Sequence, residues 1–303
     1  MPARPSVPTS TIASRASAPT PSDDALSLFP YERYEPEVEK LGERYRRNTP
    51  VPHVVFDQFL DRELAGTMAA EFPDDATDRW INYRHVNENK ASLNRWEEMP
   101  PTIAAVLHEL SSPRFVSWCA RITGIADLIA DPVLDGGGMH LARAGGFLNV
   151  HTDFKIHRHR PTWRRRCNLV LYLNEDWNPD WGGAMELWAP DMSRCVESIP
   201  CEINRAVLFD TSQAFHGFPD PLRCPADRRR KSLQIYYYTA DALPDVAPVA
   251  TTYYPRPQDP ALTRMLVNLD NRALGAYDAL KRRLGFSDDV ISRIMASLGR
   301  TRR

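Results

Sequence analysis

The stretch "GGFLNVHTDFKIH" (residues 145–157) decides how this chain is read. Gly145 and Gly146 read as a turn that delivers a strand. On a strand, residues two apart point to the same face, so His151 and Asp153 face one way and Thr152 the other. Side by side inside a barrel, an imidazole and a carboxylate need a reason, because a buried charge is costly unless paired or bound to metal. A divalent metal supplies that reason. A plain His–Asp hydrogen bond on a solvated face explains the tripeptide more readily when it is taken alone.

The downstream sequence adds context. From about Pro132 short apolar or alternating runs follow one another, broken by turn residues: "GMHLARA" (138–144), "GFLNVHTDF" (146–154), "RCNLVLYLN" (166–174), "AMELWAP" (184–190), "RAVLFDT" (205–211), "AFHGFP" (214–219) and "KSLQIYYYTA" (231–240). Many short strands at close spacing predict a sandwich or barrel. Upstream, 50–60 reads as a short strand running into a helix at "DRELAGTMAAEF", and 100–125 as two helices anchored by Leu107, Leu110, Phe115, Trp118 and Ile122. After "APVATTYYPRPQDP" the pattern is helical again, over roughly 260–283 and 286–300, with Ser287 as an N-cap. The expected organisation is a disordered tail over 1–30, a mostly helical support region over 31–131, a β core over 132–245 and a helical extension over 246–303, all one compact domain apart from the tail.

A third ligand is available in "DTSQAFHGF", where His216 lies on the next-to-last predicted strand. Two histidines and a carboxylate leave the remaining positions of a metal open, the facial triad of non-haem Fe(II) oxygenases. His157 and His159 follow the first strand in the basic loop "KIHRHRPTWRRR" and read as solvated. His140, on the preceding strand, either lines the pocket or is a satisfied barrel histidine. On the last strand Arg230, Ser232, Gln234 and Tyr236 share one face, and Lys231, Leu233, Ile235 and Tyr237 the other. If the apolar set meets the surrounding shell, Arg230 points inward and wants a carboxylate, which its planar fork fits bidentately. By the same parity Asn168, Val170 and Tyr172 share a face, so an amide and a phenol enter the same cavity.

Together, His151-x-Asp153, "NLVLYLNEDWNPDWGGAMELW", "FHGF" and the "RKSL" that precedes "IYYYT" resemble the 2-oxoglutarate- and Fe(II)-dependent dioxygenases, in particular the prolyl-4-hydroxylase-like branch, over about residues 132–240. The resemblance implies a mainly β fold with flanking helices, built on a double-stranded β-helix or jelly-roll core. It implies that His151, Asp153 and His216 hold iron. Arg230, helped by Ser232, would take the far carboxylate of 2-oxoglutarate, and Tyr172 falls where relatives often place a tyrosine on that group. Relatives often carry a further tyrosine on the strand before His-x-Asp; here His140 is the nearest candidate. The implied cofactors are Fe(II), 2-oxoglutarate and O2, and the implied products are succinate, carbon dioxide and a hydroxylated substrate.

Composition narrows the partners. The 303 residues include 38 basic and 39 acidic side chains, a formal charge of −1, which argues against wholesale binding to nucleic acid or an anionic membrane. No apolar run reaches the roughly 18 residues of a membrane span, and the five cysteines form neither a CxxC pair nor a disulfide framework, which fits a cytoplasmic protein. The expected activity is hydroxylation of an unactivated carbon in a small molecule, a metabolite or natural-product intermediate. A peptidyl hydroxylase of the prolyl type is the alternative within this chemistry, and a non-catalytic jelly-roll binding module the alternative outside it. The C-terminal helices serve either as a buttress or as a homodimer contact.

Overall fold

A computed structural model describes residues 27–74, 77, 79–241 and 251–284, with side chains up to 272. Thirteen strands, every pair antiparallel, form one strongly curled sheet. In chain order they are β1 His53–Phe56, β2 Ile81–His85, β3 Glu88–Leu93, β4 Ile129–Ala130, β5 Gly138–Ala142, β6 Phe147–Thr152, β7 Arg164–Tyr172, β8 Met185–Trp188, β9 Cys195–Ile199, β10 Ala206–Asp210, β11 Phe215–Phe218, β12 Arg230–Thr239 and β13 Thr252–Tyr253. The spatial order is β1-β10-β7-β12-β5-β3-β6-β11-β8-β9, with β2 on β3, β4 on β12 and β13 on β6. This is the expected jelly roll, curled so that β7 and β12 on one side face β6, β11 and β8 on the other.

Parity along the strands divides the interior into two cores. On β12, Leu233, Ile235 and Tyr237 join a core shared with the helices; on β7, Cys167, Leu169 and Leu171 do the same. The opposite residues, Val170 and Tyr172, join an inner core with Leu187, Val207, Phe209 and Phe218. The helices α1 Tyr31–Tyr34, α2 Val38–Arg47, α3 Arg62–Glu71, α4 Pro101–Leu110 and α5 Pro113–Thr123 contribute to the outer core. In α5 the local chemistry is complete. Ser112 accepts from the Phe115 amide, Pro113 opens the first turn, and Gly124 closes it in the left-handed region at φ 71°. Phe115, Trp118, Cys119 and Ile122 then bury one stripe at helical spacing. Each of these larger apolar side chains contributes about 2 kcal/mol by burial.

Several expectations need correction. Phe29, placed in the tail, is buried and packs on Tyr31, Tyr34, Phe59, Phe115 and Trp118. The region read as mostly helical support also supplies β2 and β3, whose polar sequence hides them; β2 is largely exposed and, among the described residues, pairs with β3 alone. The segment read as an open basic loop is a hairpin, pinned by the Ile156–Arg164 bridge and by hydrogen bonds between His157 and Trp163 and between Trp163 and Arg160. The helix α6 spans Ala261–Leu284, while the second helix expected at 286–300 lies outside the described residues. All five cysteines are free, and no described helix is long and apolar enough to cross a membrane.

Candidate active site

His151 and His216 are direct cross-strand partners on β6 and β11, with ring centroids 4.3 Å apart. Asp153 sits just past the end of β6. His151 Nε2 lies 3.6 Å from Asp153 Oδ1, and His216 Nε2 4.0 Å from Asp153 Oδ2. One ligand atom from each residue falls within 4.8 Å of the others, and all three residues are buried. Both imidazoles use Nδ1 on backbone carbonyls, His151 on Asn149 O at 3.0 Å and His216 on Ala214 O at 3.2 Å. Those bonds select the tautomer that leaves Nε2 with its lone pair free for a metal. Burial lowers the His216 pKa to about 4, which keeps the ring neutral.

Asp153 is kept charged partly from outside the triad. Burial alone would raise its pKa, but the Arg165 guanidinium and the two imidazoles hold it well below the usual carboxylate range. Arg165 Nη1 lies 3.5 Å from Asp153 Oδ2. Its guanidinium is stacked between the rings of Phe154 and Tyr236, 3.5 and 3.6 Å from their centroids, and donates to the Tyr238 hydroxyl. Asp153 Oδ2 nevertheless accepts no hydrogen bond. A buried, ionised oxygen without a donor, facing two imidazole nitrogens, is the donor set a divalent ion such as Fe(II) takes.

A cavity of about 120 Å³ opens beside the triad and is lined by His140, Asn168, Tyr172 and Arg230 as well as by His151, Asp153 and His216. Ser232 is fully buried next to it, and register explains the grouping. Ser92, His140, Ser232 and Tyr172 are paired in one row across β3, β5, β12 and β7. Arg230 donates from Nε to Gly183 O at 2.7 Å, lies 4.1 Å from the Phe218 ring centroid, and reaches the Tyr172 hydroxyl at 3.5 Å. Gly183 is required here. Its φ is +83°, and a Cβ would meet Leu222 Cδ2 at 2.8 Å and Arg230 Cδ at 3.0 Å. Ser232 Oγ, Asn168 Oδ1 and both His140 ring nitrogens are buried without a hydrogen-bond partner. Burial, with the charge of Lys90, pushes His140 down to about 3, and burial raises Tyr172 to about 12 against the pull of Arg230. So many unmet polar atoms on one wall suit a polar ligand.

The structure therefore brings the eight residues expected to form the site to or beside one cavity. It separates the two decoys. His159 is exposed, as expected. His157 is not: its side chain is buried and its Nε2 lies 3.2 Å from Asp131 Oδ1, so it anchors the hairpin instead of facing solvent. Sequence reasoning also missed Arg165. Counting by twos from Asn168 selects Arg166, but the β7–β12 register slips between Tyr237 and Tyr238, and the bulge turns Arg165 inward. Tyr83, Glu88 and Lys90, from the unforeseen β2–β3 hairpin, line the mouth. The alternation of Glu88, Lys90 and Ser92 on one face was their only signal.

Residues 138–238 match the family model of the 2OG-Fe(II) oxygenase superfamily, a segment that holds all eight residues expected to form the site. Solved structures similar to the chain include a prolyl-4-hydroxylase from Pseudomonas putida, 20% identical at TM-score 0.48 over 67% of this chain and 100% of that one. Another is a prolyl hydroxylase from Trichoplax adhaerens in complex with a hypoxia inducible factor oxygen degradation domain peptide fragment, 16% identical at TM-score 0.49 over 68% of this chain and 92% of that one. HygX from Streptomyces hygroscopicus, with nickel, 2-oxoglutarate and hygromycin B bound, is 10% identical at TM-score 0.41 over 62% and 83%. A comparison with curated proteins finds no match. The matched segment is a 2OG-Fe(II) oxygenase domain, and the protein is a dioxygenase that works with Fe(II), 2-oxoglutarate and O2.

Proposed function

We propose that this dioxygenase hydroxylates an unactivated carbon of a small-molecule substrate and releases succinate and carbon dioxide. The observation that carries the reading is the convergence of His151 Nε2, His216 Nε2 and an Asp153 oxygen on one wall of a cavity with Arg230 on another. His151, Asp153 and His216 would hold the iron. Iron, 2-oxoglutarate and dioxygen together supply the oxidant.

The chain's own residues position and exclude. Arg230 would pair with the far carboxylate of the cosubstrate, and the Tyr172 hydroxyl beside it would donate a second hydrogen bond. Ser232, Asn168 and His140 offer the unmet groups along the same wall. His140 is held neutral, so it can donate one N–H without adding charge. Arg165 holds Asp153 ionised from outside the triad. The small cavity and the pinned 156–164 hairpin support a small substrate. The exposed edge of β2 favours the second reading, a peptidyl hydroxylase whose substrate adds along that strand. Succinate release during a screen of metabolites and proline-containing peptides decides between them: stimulation by peptides alone would overturn the small-molecule reading.

A further inference from the structure

The charges that line the cavity are unequal. Lys90, Arg158, Arg165 and Arg230 face it, against Glu88 and Asp153. Lys90 is matched by Glu88 at 3.2 Å and Arg165 by Asp153 at 3.5 Å, while Arg158 has only a loose partner in Asp135, 3.7 Å from its Nε. Fe(II) and the 2-oxoglutarate dianion cancel each other's charge, so loading the site leaves the excess where it was. Arg230 is committed to the cosubstrate's far carboxylate under the reading above. The cation at the mouth with the loosest partner is then Arg158.

Arg158 is arranged to stay available. Its guanidinium lies 4.9 Å from the centroid of Phe154, whose ring also stacks on Arg165. The nearest acid, Asp135, is 3.7 Å from Arg158 Nε, beyond hydrogen-bond reach, and its other oxygen accepts from the Arg158 backbone amide at 3.3 Å. Among the described residues the guanidinium donates no hydrogen bond, and the side chain is 54% exposed at the cavity mouth. A planar fork of donors that shares only a loose, half-exposed ion pair with Asp135 can still fit a carboxylate bidentately.

We infer that the substrate carries an anionic group, held at the cavity mouth by Arg158. The inference rests on the dioxygenase reading and names the substrate class within it. The test uses the full chain loaded with Fe(II) and 2-oxoglutarate. A panel of small carboxylic acids, each paired with its methyl ester, is scored for stimulated succinate release. Acids and not their esters should stimulate. Arg158→Gln should raise the half-saturating acid concentration about tenfold, the loss of about one charge-assisted pair, with kcat within about twofold. Arg158→Lys should recover part of that loss. An equal response to acid and ester, or none to the acids, overturns the inference. Failure of the underlying reading has a different signature: the anaerobic Fe(II) protein would show no visible absorption band on addition of 2-oxoglutarate.

Discussion

Arg165 stands directly behind Asp153, its Nη1 3.5 Å from Oδ2, with both side chains almost fully buried. Removing one member of a buried pair leaves the other uncompensated, at a cost of about 3–5 kcal/mol. Arg165→Gln should therefore lower the thermal midpoint of the metal-free protein sharply. A divalent ion at the triad replaces part of the lost positive charge. The metal-induced rise in midpoint should accordingly be larger in the variant than in the wild type. Arg165→Lys should not rescue, because the flat stack between Phe154 and Tyr236 and the bonds to Tyr238 need a guanidinium. Equal metal-free midpoints for all three proteins would refute this.

The triad assignment separates neighbours in sequence. Asp153→Ala should lose both metal binding and succinate release. Thr152, one residue earlier, is paired with Thr252 on β13 and faces away from the ligands, so Thr152→Val should keep both near normal. Metal titration followed by succinate assay checks the pair. Coupled turnover in Asp153→Ala would remove that residue from the iron site.

The inner face of the barrel was legible because its signal is strict alternation. His151 and, just past its strand, Asp153, then Asn168 and Tyr172 on a second strand and Arg230 and Ser232 on a third all share parity, and parity survives wherever register is regular. Where a bulge adds a residue, parity fails. That is why counting back from Asn168 lands on Arg166, while Arg165 is the residue that turns in. The β2–β3 hairpin was illegible for a different reason. Its strands are polar and partly exposed, so no apolar face marks them, and only the partners β5 and β6, distant in sequence, give them a place. His157 looked solvated because arginines surround it in the chain; its acid, Asp131, is 26 residues away.

That last correction has its own test. His157 and Asp131 are buried together at 3.2 Å, and Asp131 also accepts from the amides of Val133 and Asp135. His157→Ala removes the partner that ties the hairpin to this turn and should lower the urea midpoint by the equivalent of about 1–3 kcal/mol. His159→Ala, at an exposed position two residues on, should change stability by less than about 0.5 kcal/mol. Similar losses in both would mean that the hairpin is held by its backbone alone.

Acid should destabilise the metal-free protein in part through His140. Burial lowers its folded pKa to about 3, against about 6.5 in an unfolded chain. Between those values the unfolded state binds the extra proton, so the His140 contribution is complete above pH 6.5 and is lost as pH falls towards 3. At pH 5 the loss from this one group is about 2 kcal/mol. His140→Phe should therefore lose about that much less stability than the wild type between pH 7 and pH 5, read from denaturant midpoints. Parallel curves would show that the imidazole is not buried neutral.

Arg230 and Gly183 form one device and should fail together. The guanidinium reaches the cavity because Gly183 has no Cβ and offers its carbonyl to Nε at 2.7 Å. Arg230→Lys keeps the charge but loses the fork and the Gly183 bond. It should weaken 2-oxoglutarate binding by about ten- to a hundredfold, the effect of losing about 1.5–3 kcal/mol of charge-assisted bonding. Tyr172→Phe removes a neutral hydroxyl and should cost about fivefold. Gly183→Ala forces a left-handed alanine against Leu222 and Arg230 and should resemble Arg230→Lys although it changes no charge. Titrating 2-oxoglutarate into the anaerobic Fe(II) protein and following the visible band gives all three affinities, and metal affinity measured alongside should stay constant. If Gly183→Ala binds 2-oxoglutarate as the wild type does, the arginine is not held in place by that glycine, and the clamp would have to be ordered by the Phe218 and Tyr172 rings alone.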